Sequence, residues 1–428
     1  MSEATEATDV EATPPPSPQP PHRMDPTGAE LHAVNEQLRA RGPAVPVTLP
    51  GEVEAVAVTG HEELRDFLAD PRVAKDACHF AALREGRVPE GWPLTAIATV
   101  DGMTTADGEA HRRLRGLLSR AFTPLRVERL RPRIEELVSG LLVRLPQVAA
   151  KDGTVDLRQH FAYPLPMSVI CELLGVDSEL RDRLHALSRV LVSTTPRPQQ
   201  VLAANRETAA ILAHVVESRR KAPGDDLTSA LIAVREEDGD RLSESELTGT
   251  LLQLLVAGHG TTLNLIVNAV RALCAHPDQL ALVRAGSASW LDVVDETLRY
   301  DGPVGFFPFR YPTEGLSVGG TYIEAGIPVL AGYSAAGRDP RTHGPDAGRF
   351  DVTRQRDPRR RERHLSFGHG PHFCIGAPLA RLEATIALRE LFGRHPGLEL
   401  AVADEELAPV PSFISNGRQS LPVRLGRA

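Results

Sequence analysis

The chain has 428 residues, of which 42% are hydrophobic and 24% are charged, and its formal net charge is −8. This composition is typical of a soluble globular protein, and the acidic balance argues against a dedicated nucleic-acid binder. The four cysteines lie far apart without a Cys-x-x-Cys pair, which favours a reducing cytoplasm and disfavours a disulfide framework or a zinc site. No uninterrupted apolar run is long enough to predict a membrane anchor.

The N-terminal segment is acidic and then rich in proline, from Pro14 to Pro21. It has too little apolar surface to fold and lacks the apolar core of a signal peptide. We therefore predict a disordered tail over residues 1–25, within which Met24 offers an alternative start of translation.

The segment that follows is predicted to be mostly helical. A short strand is expected over residues 51–58, and helices are expected over 61–69 and 108–121. Residues 81–106 have no clear period and contain Gly and Pro, so we predict a long loop, and long loops in compact proteins are usually functional. Further helices continue to residue 222, with a break at residues 194–198.

A long helix is predicted from Ser243, which forms a capping box with Glu246, to about residue 275, where Pro277 ends it. At 1.5 Å per residue this helix would span about 45 Å, so it must cross the core. Its centre reads Ala-Gly-His-Gly-Thr-Thr over residues 257–262. Two glycines inside a helix cost about 1 kcal/mol each relative to Ala, which favours either a ligand against the helix or close packing of another helix.

The remainder of the chain mixes helix and strand. A helix over residues 290–300 carries Glu296 and Arg299, strands are expected over 318–323 and 329–335, and a final helix ends near residue 392. Residues 398–425 are typical of a β-hairpin region with Phe413 and Ile414 at its apolar tip. The predicted fold class is therefore mainly α with a small β subdomain.

Cys374 lies in the segment Phe-Gly-His-Gly-Pro-His-Phe-Cys-Ile-Gly, residues 367–376, just before the final helix. Unpaired N–H groups at a helix N-terminus stabilise negative charge, so we expect a thiolate with a lowered pKa. A thiolate there can bind a soft or redox metal, and it is the electron donor that haem iron needs for O–O cleavage. The alternative is a buried core cysteine, and the spacing of Phe, Gly, Cys and Gly favours the metal ligand.

Four features follow one another along the chain: His-x-x-x-Arg at 111–115, Gly-Thr-Thr at 260–262, Glu-x-x-Arg at 296–299, and the Cys374 segment. In this order they resemble the cytochrome P450 family, in its soluble bacterial branch, from about residue 26 to the C-terminus. The resemblance implies a single haem domain over residues 26–428 with the cytochrome P450 fold. The haem would lie between the long central helix and the Cys374 loop with the final helix.

The resemblance also implies the residues that hold the haem. Cys374 would be the proximal thiolate ligand of haem b, with Phe367 packed on the proximal side and Gly376 allowing a tight turn. Ala257 would be a further haem contact. The two propionates of haem require cationic partners. The positions that match these partners are His111, Arg115, Arg310 and His372.

Glu296 and Arg299 match the buried ion pair of the family, and Arg349 would be its third member. This network would brace the loop that holds Cys374. Loss of one partner would leave a buried charge uncompensated, which is strongly destabilising.

The catalytic positions on the central helix are Gly260, Thr261 and Thr262. In the family an acidic residue usually precedes the Thr, and the acid and the alcohol relay protons to the distal oxygen; here Gly260 takes the place of the acid. Three interpretations stay open. Water could fill the space and carry the proton with Thr261, a substrate hydroxyl could complete the relay, or oxygen activation is inefficient and the haem serves another reaction.

The implied substrate pocket is largely apolar, which indicates a hydrophobic and bulky substrate. Its lining would come from the 81–106 loop, the break near residues 195–198 and a set of individual positions. These are Leu255, Gly258, Val304, Phe306, Phe307, Phe413 and Ile414.

The chain has no room for flavin or iron–sulfur modules, so electrons would come from a separate ferredoxin and its NAD(P)H-dependent reductase. The arginine-rich stretch 354–363 is interpreted either as a docking patch for an acidic ferredoxin or as a solvated loop.

Together these features predict a cytoplasmic haem-thiolate monooxygenase that uses O2 to oxidise a hydrophobic small molecule such as a secondary metabolite, without a nucleic-acid or membrane partner. One alternative keeps the haem for oxidative coupling, desaturation or peroxide-driven oxidation. The other is a non-catalytic haem-bound ligand sensor or carrier.

Overall fold

The computed structural model describes residues 20–191, 198–233, 242–354 and 364–426. Its helices are α1 (Leu31–Arg41), α2 (His61–Ala69), α3 (Ala81–Arg84), α4 (Thr95–Thr99), α5 (Gly108–Ala121), α6 (Pro124–Arg129), α7 (Arg131–Val148), α8 (Pro164–Leu174), α9 (Arg181–Leu191), α10 (Pro198–Lys221), α11 (Leu227–Ala233), α12 (Glu244–Ala275), α13 (Pro277–Arg284), α14 (Trp290–Asp301), α15 (Tyr333–Ala336), α16 (Pro340–His343) and α17 (Ala377–Arg394). Its strands are β1 (His22–Arg23), β2 (Ala44–Leu49), β3 (Val53–Val58), β4 (Val73–Ala74), β5 (Thr154–Asp156), β6 (Phe306–Pro312), β7 (Leu316–Val318), β8 (Thr321–Ile323), β9 (Val329–Gly332), β10 (Glu399–Leu400) and β11 (Pro422–Arg424).

The longest helix, α12, runs through the centre of the helical part. Its N-terminus is fixed by the predicted capping box, in which the Glu246 N–H donates to the Ser243 hydroxyl at 3.2 Å and the Ser243 N–H donates to the Glu246 carboxylate at 2.8 Å. Helices α8, α10, α14 and α17 pack against it. Because every residue from Thr262 to Val270 is buried, the C-terminal half of α12 is held rigidly in the main apolar cluster.

The β part is dominated by one six-stranded sheet with the order β1-β2-β3-β9-β6-β4. β2 and β3 pair antiparallel, β9 joins β3 in parallel, and β6 runs antiparallel to β9. The register between β6 and β9 shifts between Phe307 and Arg310. The described residues also form a three-stranded sheet, β10-β11-β5, and the hairpin β7-β8.

The predicted mainly α architecture is confirmed, as are the helices over residues 61–69, 108–121 and 290–300 and the long helix after Ser243. Three predicted segments differ in detail. The 81–106 loop contains the short helices α3 and α4, and the strand predicted over 329–335 ends at Gly332, where α15 begins. Residues 318–323 are parts of two strands, because Gly319 and Gly320 turn the chain between them with positive φ.

The predicted disordered tail extends too far at its C-terminal end. Residues 22 and 23 form β1, which pairs in parallel with β2. The Met24 N–H donates to the Thr48 carbonyl at 2.9 Å, and the Met24 side chain is buried. Pairing and burial offset the entropy lost by this short stretch. Residues 1–19 of the tail, and residues 194–197 of the predicted helix break, lie outside the described residues.

Candidate functional site

Most of the predicted site residues surround one cavity, which we call the main cavity. The central part of α12 forms one wall, the Cys374 loop and the start of α17 form the opposite wall, and β6 closes one side. Its lining includes Lys75, Met103, Arg115, Ile170, Gln253, Leu254, Ala257, Gly258, Thr261, Thr262, Val304, Phe307, Arg310, Tyr333, Phe367, His372, Cys374, Gly376 and Glu383.

The Cys374 loop is shaped by two glycines and one backbone bond. Gly368 and Gly370 have φ values of 74° and 72°, which favour glycine, and a Cβ at Gly370 would lie 2.8 Å from the Leu68 carbonyl oxygen. The Cys374 N–H donates to the Phe367 carbonyl at 2.8 Å. This closed loop leaves the Cys374 side chain accessible from the main cavity.

The expected lowering of the Cys374 pKa is wrong for the protein alone. Burial among surrounding atoms raises the pKa of the thiol, although its side chain reaches the main cavity. The Gly376 N–H and the charge of Arg115 act in the opposite direction but do not outweigh this desolvation. A metal ion at the sulfur would reverse the balance, because a coordinating thiol is deprotonated outright.

Arg310 and Lys75, at one side of the main cavity, form no ion pair with any carboxylate of the described residues. Arg310 is buried, and its Nη1 has no hydrogen-bond partner among the described residues. Lys75 is buried nearby, with Nζ 5.1 Å from the centre of the Phe307 ring, and burial followed by the charge of Arg310 holds its pKa well below its usual value. The buried Nε2 of His111 also lacks a partner among the described residues.

The nearest carboxylate, Asp107, is already engaged. It accepts the N–H groups of Lys75 and Asp76 at 2.8 Å each, and it lies 3.8 Å from His372 Nε2. Burial, opposed in part by Asp107, lowers the pKa of His372 to about 4, and the His372 ring lies 4.1 Å from that of His111.

The unmatched donors fit a ligand that carries two carboxylates, as the two propionates of haem require. Each propionate could accept hydrogen bonds from buried cations that have no ion pair among the described residues, and such charge-assisted bonds are the strong ones. The predicted group His111, Arg115, Arg310 and His372 is thus brought together on one side of the main cavity or directly beside it.

Lys75 is a site residue that sequence reasoning missed. One feature of the sequence could have pointed to Lys75, because it is one of only three lysines in a chain whose basic residues are mostly arginines. Phe307 and Arg310 both reach the main cavity although side chains three apart on a strand normally face opposite ways. The shift in register between them explains this, because a bulge re-aims side chains.

The face of α12 toward the main cavity presents Ala257, Gly258, Thr261 and Thr262. The Thr261 hydroxyl donates to the Ala257 carbonyl at 2.5 Å, so its oxygen can accept a hydrogen bond from a group in the cavity. Gly258 lies close to α8, because an added Cβ would be 3.0 Å from Ile170 Cδ1. Gly260 does not line the main cavity, and it opens instead onto a second cavity on the other side of α12.

Four predicted pocket residues do not line the main cavity: Leu255, Phe306, Phe413 and Ile414. Leu255 follows Leu254, which lines the cavity, and one residue turns a helix by about 100°. Phe306 alternates with Phe307 along β6 and therefore faces the other side of the sheet.

Phe413 and Ile414 pack behind β6 with Phe306, in the same apolar cluster. Their carbonyls accept the N–H groups of Phe306 at 3.0 Å and Gly305 at 2.8 Å, which holds the hairpin tip against the strand. Gly258, Val304 and Phe307 do line the main cavity.

The buried ion pair has a different third member from the predicted one. Arg299 donates to both carboxylate oxygens of Glu296, at 2.8 and 2.6 Å, and Arg354 Nε lies 3.6 Å from the same carboxylate. Arg349 contributes only its carbonyl oxygen, at 2.8 Å from Arg299 Nη2, because its side chain is exposed. The Ser366 hydroxyl donates to the Leu298 carbonyl, which links this network to the Cys374 loop.

Comparison with known proteins decides the family. The cytochrome P450 family model matches residues 291–395. The 2-hydroxy-5-methyl-1-naphthoate 7-hydroxylase of Streptomyces carzinostaticus is 40% identical over 410 residues, which cover 95% of this chain and 98% of that protein. The chain belongs to the cytochrome P450 family. The 6-deoxyerythronolide B hydroxylase of Saccharopolyspora erythraea is 41% identical over 395 residues, covering 91% and 94% of the two chains.

The solved structures agree with the cytochrome P450 assignment. The structure of CYP154C4 from Streptomyces sp. W2061 superimposes with a TM-score of 0.91 at 43% identity, covering 96% of this chain and 99% of that one. The predicted fold is therefore confirmed, and the protein is a cytochrome P450 monooxygenase, a family that implies haem-thiolate iron.

One helix among the described residues, α12, is long and apolar enough to cross a membrane by length and composition. Its most apolar window is 56% buried within the protein.

Proposed function

We propose that this protein inserts one oxygen atom from O2 into a bulky hydrophobic small molecule, a secondary metabolite, in the cytoplasm. Electrons come from NAD(P)H through a separate ferredoxin reductase and ferredoxin. The observation that carries this proposal is the placement of Cys374 opposite Thr261 across a largely apolar cavity with unmatched buried cations at one side.

Cys374 is the thiolate ligand of haem b in this proposal. Arg310, His111, Arg115 and His372, together with Lys75, hold the two propionates and so fix the orientation of the haem plane. Phe367 packs on the proximal side, and the Arg381 guanidinium lies 4.6 Å from the centre of its ring. Bound haem supplies oxygen activation, and the protein supplies binding, orientation and electrostatics.

The distal wall binds and orients the substrate. Ile170, Leu254, Val304 and Phe307 exclude water from the reacting region, which favours a hydrophobic substrate. Gln253 adds a polar contact, since its Nε2 is buried without a partner among the described residues. The Thr261 hydroxyl holds a proton at the distal side, and water or a substrate hydroxyl completes its delivery.

The relatives support the substrate class. Their names specify hydroxylation of a substituted naphthoate and of 6-deoxyerythronolide B, both of which are bulky carbon skeletons. Arg354, the first residue of the arginine-rich stretch proposed as a docking patch for an acidic ferredoxin, is buried in the ion-pair network. Residues 355–363, the rest of that stretch, lie outside the described residues.

The test is oxygenation of candidate substrates by the holoprotein with ferredoxin, reductase and NAD(P)H under isotope-labelled O2. We screen naphthoates and macrolactones and expect one labelled oxygen atom in the product of at least one of them. Cys374→Ser should abolish this product, and Cys171→Ser, at a buried cysteine outside the main cavity, should not. A product that forms with peroxide but not with O2 and the electron donors, or a product of the O2 reaction that lacks the label, would contradict monooxygenation.

A further inference from the structure

The second cavity lies on the face of α12 opposite to the main cavity and has a volume of about 480 Å³. His259, Gly260 and Asn264 of α12 form one wall, and Arg158, His185 and Arg189 line it from the neighbouring elements. Arg189 is exposed, so the second cavity opens to solvent there. Nothing in the proposed monooxygenase reaction uses these side chains.

Within the part of the chain that the structure describes, neither Arg158 nor Arg189 has a carboxylate partner. Arg158 Nη1 donates to Asn264 Oδ1 at 3.0 Å, and no carboxylate of the described residues makes an ion pair with either arginine. The segment that follows Arg189, residues 192–197, contains no acidic residue. The second cavity therefore carries two guanidinium groups that are not neutralised by direct contact.

The acidic residues nearby do not supply that contact. The Asp156 carboxylate, which lines the second cavity, accepts the backbone N–H groups of Arg158 at 3.0 Å and Leu421 at 2.9 Å. Asp182 accepts the Tyr163 hydroxyl at 2.8 Å.

The two histidines add no charge at neutral pH. His185 Nδ1 and His259 Nε2 share a hydrogen bond of 2.9 Å. Burial, followed by neighbouring positive charges, lowers their pKa values to about 4 and about 3. Both rings are therefore neutral, and the groups that face the second cavity leave a local excess of positive charge.

Gly260 leaves the second cavity open beside these cations. A Cβ at this position would meet no atom within 4 Å, so room for a ligand begins at the helix backbone itself. Val256 and Leu263 of the same helix line the cavity as well. Space, two guanidinium groups without an ion pair among the described residues, and an apolar wall thus coincide next to Thr261.

We propose that the second cavity binds a small organic carboxylate, with Arg158 as its main partner and its carbon skeleton against Val256 and Leu263. Arginine suits this ligand because its planar fork matches both carboxylate oxygens. Asn264 fixes one edge of the Arg158 guanidinium and leaves its other N–H groups for the ligand.

A bound carboxylate would lie beside Gly260, one residue before Thr261. In turnover, and resting on the function proposed above, the bound carboxylate takes up one proton from the solvent that reaches the second cavity at Arg189. It passes this proton past the backbone of Gly260 toward Thr261, which restores the carboxylate. No side chain at position 260 can do so.

The binding test does not depend on turnover. Isotope-labelled acetate is titrated by NMR into the ferrous carbon monoxide form of the holoprotein, in which acetate cannot ligate the iron, at constant ionic strength set with chloride. We expect saturable binding by the wild type. Arg158→Gln should weaken it by about tenfold or more, because one charge-assisted pair is lost. Arg144→Gln removes an equal charge from an exposed position on α7 and should leave binding unchanged.

Gly260→Glu is the second variant, and it should abolish acetate binding by filling the space and neutralising Arg158. Acetate binding that is non-saturable, equal in Arg158→Gln and wild type, or retained in Gly260→Glu would overturn the proposed site. Should Arg158→Gln fail to fold, the Gly260→Glu result decides.

A separate measurement of product per NAD(P)H tests the role of the site in turnover. Acetate should raise this ratio in the wild type and not in Arg158→Gln. Binding without such an increase would remove the proton role and leave the site. Binding without any oxygenated product would count against the proposed function and not against the site.

Discussion

The two walls of the main cavity are built in different ways. On the proximal side, a short loop with glycines at positive φ holds Cys374, and the buried Glu296–Arg299–Arg354 network and Ser366 brace it. On the distal side, one continuous helix presents small residues, and apolar side chains from several separate elements complete the wall.

This difference decides how much of each wall a local sequence pattern can predict. A proximal wall built from one local motif can be recognised in sequence, and in the function proposed above its task is to present a thiolate. The distal wall is assembled from distant segments, so its shape follows from the tertiary packing. Gly260 of α12 faces the second cavity and not the main cavity, and it leaves open space there.

The largest expected effect is on the proximal brace. Glu296→Gln leaves Arg299 buried without its counter-charge, while Arg354 keeps its ion pair with Asp346. It should lower the free energy of unfolding by about 3–5 kcal/mol. Chemical denaturation of the holoprotein measures this value. Glu172→Gln, which breaks a more exposed pair with Arg133, should cost less than about 1 kcal/mol. Equal losses in the free energy of unfolding of the two variants would contradict a larger contribution of the buried network to stability.

The next effect concerns the cations beside the main cavity. Arg310→Gln removes the buried donor that we propose for a propionate, and it should speed haem loss by about 10-fold to 100-fold, the range expected for one hydrogen bond to a charged group. Transfer of haem to an excess of apomyoglobin measures the rate. Lys75→Gln should act in the same direction, whereas Lys151→Gln, at an exposed position, should have no effect. An unchanged rate in Arg310→Gln would show that the propionates lie elsewhere.

A smaller effect is expected on the distal side. Gly260→Glu restores an acidic side chain before Thr261 and should raise the fraction of NAD(P)H converted into product by about twofold or more, because proton transfer by a positioned acid is faster. Gly260→Gln has nearly the same shape without the acid and should not raise it. If the wild type already couples almost completely and Gly260→Glu couples less, proton delivery is not impaired by the glycine.

The smallest expected effect compares the two glycines of α12. Gly260→Ala should raise the free energy of unfolding by about 0.5–1 kcal/mol, since Ala favours the helix and its Cβ meets no atom within 4 Å. Gly258→Ala should gain less or destabilise, because Ile170 would have to move from 3.0 Å. Thermal unfolding of both variants measures the difference, and a larger gain from Gly258→Ala would contradict the close packing of α8 on α12.

Sequence reasoning was most successful where function depends on a local pattern. The Cys374 loop, the capping box of α12 and the Glu296–Arg299 pair each lie within a few residues of chain, and the structure places them as predicted. The predicted third member of the ion pair, Arg349, was wrong because the identity of this residue depends on how residues 345–354 pack around α14. The carbonyl of Arg349 turns inward there while its side chain turns out, and Arg354 takes the buried place.

The residues that line the main cavity were predicted less well, again because tertiary packing decides which side chains face the cavity. Neighbouring positions such as Leu254 and Leu255, or Phe306 and Phe307, have the same chemistry in sequence. Only the phase of the helix or strand decides which of the two faces the cavity. The place of Lys75 in the lining of the main cavity and the existence of the second cavity depend on packing between distant elements, so no local sequence pattern predicts them.

The most direct test of the central claim, that Cys374 is a thiolate ligand of haem, is the absorption spectrum of the reduced holoprotein with carbon monoxide. We expect the strongly red-shifted Soret band of a thiolate-ligated haem in the wild type and in Cys171→Ser, and its loss in Cys374→Ser. A band typical of histidine ligation in the folded wild type, or a red-shifted band that survives in Cys374→Ser, would contradict the account.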